Sequence, residues 1–207
     1  MKINRDPHRT RQKILEAATA VFARHGLGGA RVDRIAKLAG ANKRMLYYYF
    51  RSKENLFLAV LEESYAQIRK AERALDLEHH DPREALKRLV DFTWDYYLAH
   101  PEFLTLLNSE NLHKGRHVRR SKRVRELHSP LVGTLRGILR RGEREGLFRR
   151  GIDPIQLYIS IAGEGYFYLS NRYTLSRIFG RDLMAPRALA AREKHNGEMI
   201  LNALRAR

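Results

Sequence analysis

Residues 32–56 read VDRIAKLAGANKRMLYYYFRSKENL. In the first part of this stretch, small and apolar residues recur at the three-and-four spacing of one helix face: Val32, Ile35, Ala36 and Ala39. Gly40 then supplies a residue that tolerates positive φ, and Asn42 is a good N-cap for a second short helix over residues 43–50. Two short helices joined by a three-residue turn that contains glycine predict a helix-turn-helix.

The second of these helices has the two-sided character that a DNA-reading helix needs. Leu46 and Phe50 can be buried against the rest of the domain, where they hold the helix in place. The other side carries side chains that can meet DNA: Lys43, Arg44, Tyr47 and Tyr48. Because a recognition helix buries one side and presents donors on the other, the pattern predicts that this helix enters a major groove.

Helical patterns flank the motif on both sides. A helix over residues 8–25 precedes it and ends in a glycine-rich loop, and Ser52 caps a long fourth helix over residues 53–77. Further helices are predicted at 83–99, 101–113, 117–127, 129–145, 153–172 and 186–205. The fold class is therefore all-α, with an N-terminal three-helix domain joined by the long fourth helix to a larger helical domain.

The chain is strongly basic. Its 207 residues contain 40 Lys and Arg against 23 Asp and Glu, which gives a net charge of +17. Residues 1–55 carry about half of this excess, which favours a polyanionic partner over the alternative of an arginine-rich solvated surface. The basic residues of the N-terminal arm would grip phosphates or form a solvated tail; they are Lys2, Arg5, Arg9, Arg11 and Lys13.

Other classes of protein find little support in the sequence. The chain has no cysteine, which excludes disulfides and thiolate metal sites. Residues 1–11 lack the apolar core of a secretory signal, and Ile155–Leu169 is too short and polar to span a bilayer, so we expect a cytoplasmic protein without a membrane partner. His113 and His117 stand four residues apart without a third metal ligand nearby in sequence. No catalytic constellation suggests an enzyme, and we expect no metal or cofactor.

Residues 10–60 resemble the TetR family of bacterial transcriptional regulators. The resemblance keeps both order and spacing in Ile14-Leu15-Glu16-Ala17-Ala18, Phe22, Gly26, Val32, Ile35-Ala36, Ala39-Gly40, Leu46-Tyr47-Tyr48-Tyr49-Phe50 and Ser52-Lys53-Glu54-Asn55-Leu56. The last two strings are its most specific part. Where many members carry Thr or Ser, this chain has Arg31, which retains a phosphate contact more easily than a helix cap.

The resemblance implies a homodimer whose two recognition helices enter successive major grooves of a palindromic double-stranded operator. Lys43 and Arg44 would read bases, since Arg can bond both major-groove acceptors of guanine. Tyr47 would touch a thymine methyl group or pack within the protein. Phosphate contacts would come from Arg31, Tyr48, Tyr49 and Lys53.

The resemblance also implies a division of labour along the chain. Residues 1–55 would form the DNA-binding domain, and residues 56–207 would bind a small-molecule effector and dimerise through helices near 153–172 and 186–205. Effector binding would shift the fourth helix and spread the DNA-binding domains, which would release the operator. The runner-up function is a sequence-indifferent architectural DNA-binding protein, which predicts steep salt dependence without operator preference.

Candidate effector contacts are aromatic residues with polar groups among them, because ligand pockets are apolar with a few placed donors. They are Trp94, Tyr97, Phe103, Leu107, Asn111, Tyr158, Glu164, Tyr168 and Asn171. The candidate dimer face within 153–172 consists of Ile155, Ile159, Ala162, Gly163, Tyr166 and Leu169. For each residue of both sets, ordinary core packing is the alternative interpretation.

Overall fold

The structure, a computed structural model, describes residues 7–206, and this part of the chain is helical almost throughout. No β-strand forms within it; a single antiparallel bridge joins Phe148 and Arg205. The α-helices are α1 (Pro7–Gly29), α2 (Val32–Leu38), α3 (Lys43–Phe50), α4 (Lys53–Arg73), α5 (Pro82–Ala99), α6 (Pro101–Leu112), α7 (Lys122–Arg144), α8 (Pro154–Ser170), α9 (Arg172–Phe179) and α10 (Pro186–Leu204). Single 3-10 turns lie at Leu77–His79 and Val118–Arg120. The all-α prediction is confirmed.

One compact unit, here called the N-terminal unit, comprises the described residues up to Gln67 together with Pro101–Arg125. Its core forms where α1 to α4 bury their apolar faces, and the rings of Phe22 and Phe57 meet edge to face with centroids 5.1 Å apart. Helix α6 packs along α1 and adds Leu106, which is fully buried, to the same core. Burial of these apolar faces is the main stabilising contribution to the unit.

The second compact unit, the C-terminal unit, comprises Ile68–His100 and the described residues from Glu126 onward. Helices α5, α8 and α10 pack against one another around a core that includes Leu86, Leu157 and Ile200. The two units do not coincide with the segments 1–55 and 56–207, because the apolar side of α6 is buried against α1 rather than within the C-terminal unit.

Two helix boundaries differ from the sequence prediction. The separate helices predicted at 117–127 and 129–145 are wrong: α7 is continuous and passes through Pro130. Its buried face, which includes Leu131, Leu135 and Ile138, is extensive enough to outweigh the hydrogen bond that the proline removes. The second difference is α9, a short helix that follows α8; the sequence predicted one helix at 153–172 and none at 173–185.

Within residues 7–206, no helix combines the length and the apolar character that crossing a bilayer would require.

Candidate DNA interface

The α2–α3 pair has the geometry of a helix-turn-helix. Gly40 adopts φ of 61°, as predicted, and the amide of Ala41 donates a hydrogen bond of 2.9 Å to the carbonyl of Ala36. A residue with a Cβ is strained at such a φ, which is why glycine suits this turn. The N-terminus of α3 is capped by Asn42, whose side chain accepts a hydrogen bond of 2.9 Å from the amide of Met45.

Helix α3 buries one side and exposes the other. Leu46 is fully buried and Phe50 is 5% exposed, so these two side chains anchor the helix in the N-terminal core. Arg44 and Tyr48 are exposed, and Tyr47 is less so, at 39%. This is the division that base reading in a major groove requires.

Tyr49 is placed differently from the other two tyrosines. It is half-buried against the N-terminal core, and its ring meets that of Tyr48 edge to face with centroids 5.2 Å apart. This ring contact orients the two side chains. It is compatible with a contact between a tyrosine hydroxyl and a phosphate.

Lys43 has an acidic neighbour that the sequence analysis did not identify. Its Nζ lies 3.1 Å from Oδ1 of Asp33 on α2, and both side chains are more than half exposed. Exposed pairs of this kind contribute little to stability, so Lys43 can exchange Asp33 for an acceptor on DNA at small cost.

Arg31 and Lys53 lie at the starts of their helices. Arg31 occupies the N-cap position of α2 without a side-chain capping bond, which agrees with the expectation that arginine loses the cap there. Its side chain is exposed. Lys53 is the first residue of α4. Its ammonium group donates a hydrogen bond of 3.3 Å to the carbonyl of Ala30, the residue that precedes Arg31.

Sequence analysis missed a basic groove in the N-terminal unit. A cavity of about 570 Å³ is lined by residues of α1 and α2, among them Arg24, His25, Arg34 and Lys37. Arg34 and Lys37 are exposed and three residues apart, so they share one face of α2. This spacing could have predicted phosphate contacts from α2, because the first helix of a helix-turn-helix crosses the DNA backbone.

The predicted N-terminal arm is described only in part. Arg9, Arg11 and Lys13 are exposed on α1, and the guanidinium of Arg11 lies 5.2 Å from the ring centroid of Phe50. Lys2 and Arg5 lie outside the described residues.

The predicted effector contacts fall in both compact units. Phe103, Leu107 and Asn111 belong to α6 in the N-terminal unit, where Phe103 is buried against Tyr65 and the Asn111 amide bonds to the carbonyl of Leu107. The other six belong to the C-terminal unit: Trp94, Tyr97, Tyr158, Glu164, Tyr168 and Asn171.

Four of those six residues form an aromatic cluster with Arg192. The rings of Trp94 and Tyr168 meet edge to face at 5.7 Å, and Tyr97 packs closely on Gly165 beside Glu164. Arg192 lies over the ring of Tyr168 and pairs with the carboxylate of Glu164, and the Tyr168 hydroxyl donates to the carbonyl of Leu183 at 2.8 Å. Burial raises the pKa of Tyr168 above its ordinary value, which favours the protonated hydroxyl that donates this bond.

The remaining two of these six residues form hydrogen bonds outside this cluster. The side-chain amide of Asn171 donates to the carbonyl of Phe167 at 2.9 Å, one turn earlier in the chain. The hydroxyl of Tyr158 accepts a hydrogen bond of 3.3 Å from Arg69.

The two histidines that stand four residues apart, His113 and His117, form hydrogen bonds with residues at the end of α6. Nδ1 of His117 lies 2.6 Å from a carboxylate oxygen of Glu110, and the other oxygen accepts from the amides of His117 and Val118. Nδ1 of His113 contacts the carbonyl of Ser109 at 2.7 Å. In the described part of the chain, no group of three or more side chains could hold a metal ion.

Comparison with known proteins agrees with this geometry. A family model described as bacterial regulatory proteins, tetR family, matches residues 14–60, and one described as tetracyclin repressor-like, C-terminal domain, matches residues 82–200. The chain is 47% identical to the HTH-type transcriptional repressor NicS of Pseudomonas putida, over 95% of this chain and 93% of that protein. It is 43% identical to the HTH-type transcriptional repressor SCO4008 of Streptomyces coelicolor, over 54% of each.

Solved structures show the same fold. The transcriptional regulator SCO4942 from Streptomyces coelicolor is similar with a TM-score of 0.71 and 27% identity, covering 96% of this chain and 99% of that one. The regulator FadR from Bacillus subtilis, solved in complex with stearoyl-CoA, has a TM-score of 0.68 and 19% identity, covering 93% and 98%. Since two family models and a relative similar along nearly its whole length agree with the helix-turn-helix geometry, the chain belongs to the TetR family of bacterial transcriptional regulators and binds DNA.

Proposed function

We propose that this regulator is a dimeric repressor that binds a palindromic operator and leaves it when a small molecule binds. The observation that carries the proposal is α3, which is anchored by Leu46 and Phe50 and exposes Arg44 and Tyr48. Repression is favoured by the 47% identity to NicS, which is named as a repressor. Since its target would be chromosomal DNA, the protein would work in the cytoplasm.

The contacts with DNA divide into base reading and phosphate binding. Arg44 and Lys43 read base edges from the exposed side of α3. Phosphate contacts come from the residues that border α3 or share its domain: Arg31, Tyr48, Tyr49 and Lys53, with Arg34 and Lys37 added from the basic groove. Tyr47, which is partly covered, contacts a thymine methyl group.

Dimerisation uses α8 and α10, which pack beside each other in the C-terminal unit. An apolar row remains exposed on α8 at Ile155, Ile159 and Phe167, and Met199 is half exposed on α10. A second copy that covers this row would remove the apolar surface from water. Leu169, included in the dimer face by sequence, is 2% exposed within the chain and is therefore core instead.

Helix α4 provides the route by which an effector acts. It supplies residues up to Gln67 to the N-terminal unit and its last residues, from Ile68, to the C-terminal unit. A ligand that prefers a displaced α4 by a few kcal/mol therefore shifts the population of DNA-bound dimers. The FadR complex with stearoyl-CoA is an example of a ligand-bound regulator of this fold.

Selection of bound sequences from a random DNA pool tests the function directly. We expect enrichment of a palindrome, with half-sites one helical turn or a multiple apart. Arg44→Ala should lose about 1–3 kcal/mol of discrimination at one base pair of each half-site. Arg140→Ala, which removes the same charge from an exposed site on α7, should keep wild-type preference. A pool without any palindrome, bound with steep salt dependence, would instead favour the architectural alternative.

A further inference from the structure

A buried ion pair lies near the end of α4 in the C-terminal unit. Nη2 of Arg69 and Oε1 of Glu72 are 2.7 Å apart, and the two residues are only 2% and 5% exposed. The guanidinium also lies over the ring of Tyr158, 5.4 Å from its centroid, and donates to the Tyr158 hydroxyl. Tyr158 therefore fixes the position of Arg69 from one side.

Three polar atoms of this pair have no partner. Nε and Nη1 of Arg69 and Oε2 of Glu72 are buried and make no hydrogen bond within the described residues. Buried polar groups are normally satisfied, and a purely structural ion pair depends on additional hydrogen bonds to offset the cost of removing its charges from water. The pair thus lacks the bonds expected of a purely structural ion pair.

The unpartnered atoms belong to residues that line a cavity of about 270 Å³. Its apolar wall consists of Leu77, Leu127, Pro130 and Leu131. The remaining lining residues are polar or charged: Arg69, Glu72, Arg73, Asp76, Glu78 and Thr134. The volume equals that of about nine water molecules in the liquid, which suits a single small ring carrying one polar group. All the lining residues belong to the C-terminal unit.

We propose that this cavity binds a small neutral amide or lactam, whose carbonyl oxygen accepts from Arg69 and whose N–H donates to Glu72. This assignment rests on the proposed function only in treating the bound molecule as the effector. The ligand would lie outside the Trp94–Tyr168 cluster, against the last turns of α4. The earlier residues of α4 belong to the N-terminal unit.

Charge balance and donor pattern argue for a neutral ligand. The charged residues that line the cavity are Arg69, Arg73, Glu72, Asp76 and Glu78, so carboxyl groups outnumber guanidinium groups. An added carboxylate would therefore place a further negative charge in the same space. An amide satisfies both kinds of unpartnered atom at once, because it carries an acceptor and a donor side by side. A purely apolar ligand would leave all three atoms without bonds.

Binding can be measured on the full chain with benzamide as the probe. The titration is made at a pH above the pKa of Glu72, which burial raises to about 7, so that the carboxyl is ionised and can accept the ligand N–H. Isothermal titration calorimetry should then give saturable binding of one benzamide per chain. Benzoate, which is similar in shape but anionic, and N,N-dimethylbenzamide, which lacks the N–H, should each bind at least about tenfold more weakly. Failure to saturate at concentrations on the order of 10 mM, or binding of all three probes with equal affinity, would overturn the assignment.

Variants test whether the probe occupies this cavity. The double variant Arg69→Met/Glu72→Met replaces the pair by apolar side chains, a change that buried ion pairs often tolerate without loss of stability. It should bind benzamide at least about tenfold more weakly than wild type, because the charged hydrogen-bonding groups are gone. Arg140→Met, exposed on α7, is the matched control and should bind like wild type. Undiminished binding by a folded double variant would contradict the proposal.

Operator binding by the same preparations separates the two proposals. A protein that enriches a palindrome but binds no benzamide leaves the DNA-binding function standing and refutes the ligand assignment. A protein that binds benzamide but enriches no operator supports the ligand assignment and refutes the proposed operator binding.

Discussion

At the scale of single residues, the Asp33–Lys43 pair bears on DNA affinity. The pair is exposed, and it places a carboxylate next to a proposed base reader. We expect Asp33→Asn to bind the selected operator several-fold more tightly at low salt, since it removes a negative charge from the interface and frees Lys43. Stability should change by less than about 0.5 kcal/mol. Fluorescence anisotropy titrations at several salt concentrations measure the affinity.

Asp95→Asn is the control for this effect. Asp95 is exposed on α5, so the substitution changes the net charge equally at a site in the C-terminal unit. If both variants gained the same affinity, the local role of Asp33 would be wrong and net charge alone would explain the result.

Glu72 makes stability depend on pH. Burial raises the pKa of this carboxyl to about 7, against the lowering effect of Arg69 and Arg73. The folded protein holds the proton more tightly than the unfolded chain, so this contribution to stability is complete below pH 4.5 and is lost as pH rises through about 7. Glu72→Gln should remove that loss, which is on the order of 3 kcal/mol.

Urea unfolding at intervals between about pH 4.5 and 8 measures this difference. Glu84→Gln, an exposed carboxylate on α5, should follow the wild-type pH dependence. Parallel curves for Glu72→Gln and wild type would show that burial does not hold a proton on Glu72.

At the scale of elements, α7 offers two glycines that should respond in opposite directions. A Cβ at Gly137 would meet open space, whereas a Cβ at Gly142 would overlap the buried ring of Phe148. Gly137→Ala should therefore raise the free energy of unfolding by about 0.5–1 kcal/mol through helix propensity. Gly142→Ala should lower it by about 1–3 kcal/mol, because the ring must move.

The same helix shows why some boundaries escape sequence reasoning. The proline rule that ended a helix before Pro130 is local, whereas α7 is held by burial of Leu131, Leu135 and Ile138 against distant segments. Denaturant unfolding of Gly137→Ala and Gly142→Ala measures how far packing determines the stability of α7. Equal changes in the free energy of unfolding would mean that Phe148 does not pack on Gly142.

At the scale of the whole molecule, the exposed row on α8 should govern assembly. Ile159 is 54% exposed in the single chain, and Ile159→Glu would place a charge in the proposed dimer interface of both copies. We expect sedimentation velocity to show monomers at micromolar concentrations, with operator affinity reduced at least about tenfold because half-sites are then bound separately.

Ile178→Glu makes the same change on α9, where the isoleucine is 71% exposed. This variant should remain a dimer. A dimeric Ile159→Glu protein would remove α8 from the interface and leave α9 or α10 as the face to examine.

The sequence by itself determined the helix-turn-helix: Gly40 at the turn, Asn42 at the cap, and the buried Leu46 and Phe50 all appear as predicted. The turn and the cap depend on interactions within about one helical turn, which neighbouring residues specify directly. The burial of Leu46 and Phe50 follows from their apolar spacing on one face of α3. Sequence could also identify the polar and apolar faces of most later helices, but not what each face would contact.

Only the tertiary structure decided which distant residues meet. It placed α6 in the N-terminal unit, set Asp33 beside Lys43, and buried Arg69 with Glu72 next to a cavity. Such contacts arise from how apolar surfaces fit together across long stretches of chain, and many partners have similar hydrophobicity. Local pattern therefore identifies the surface that reads DNA, whereas long-range packing creates the cavity proposed to receive the signal.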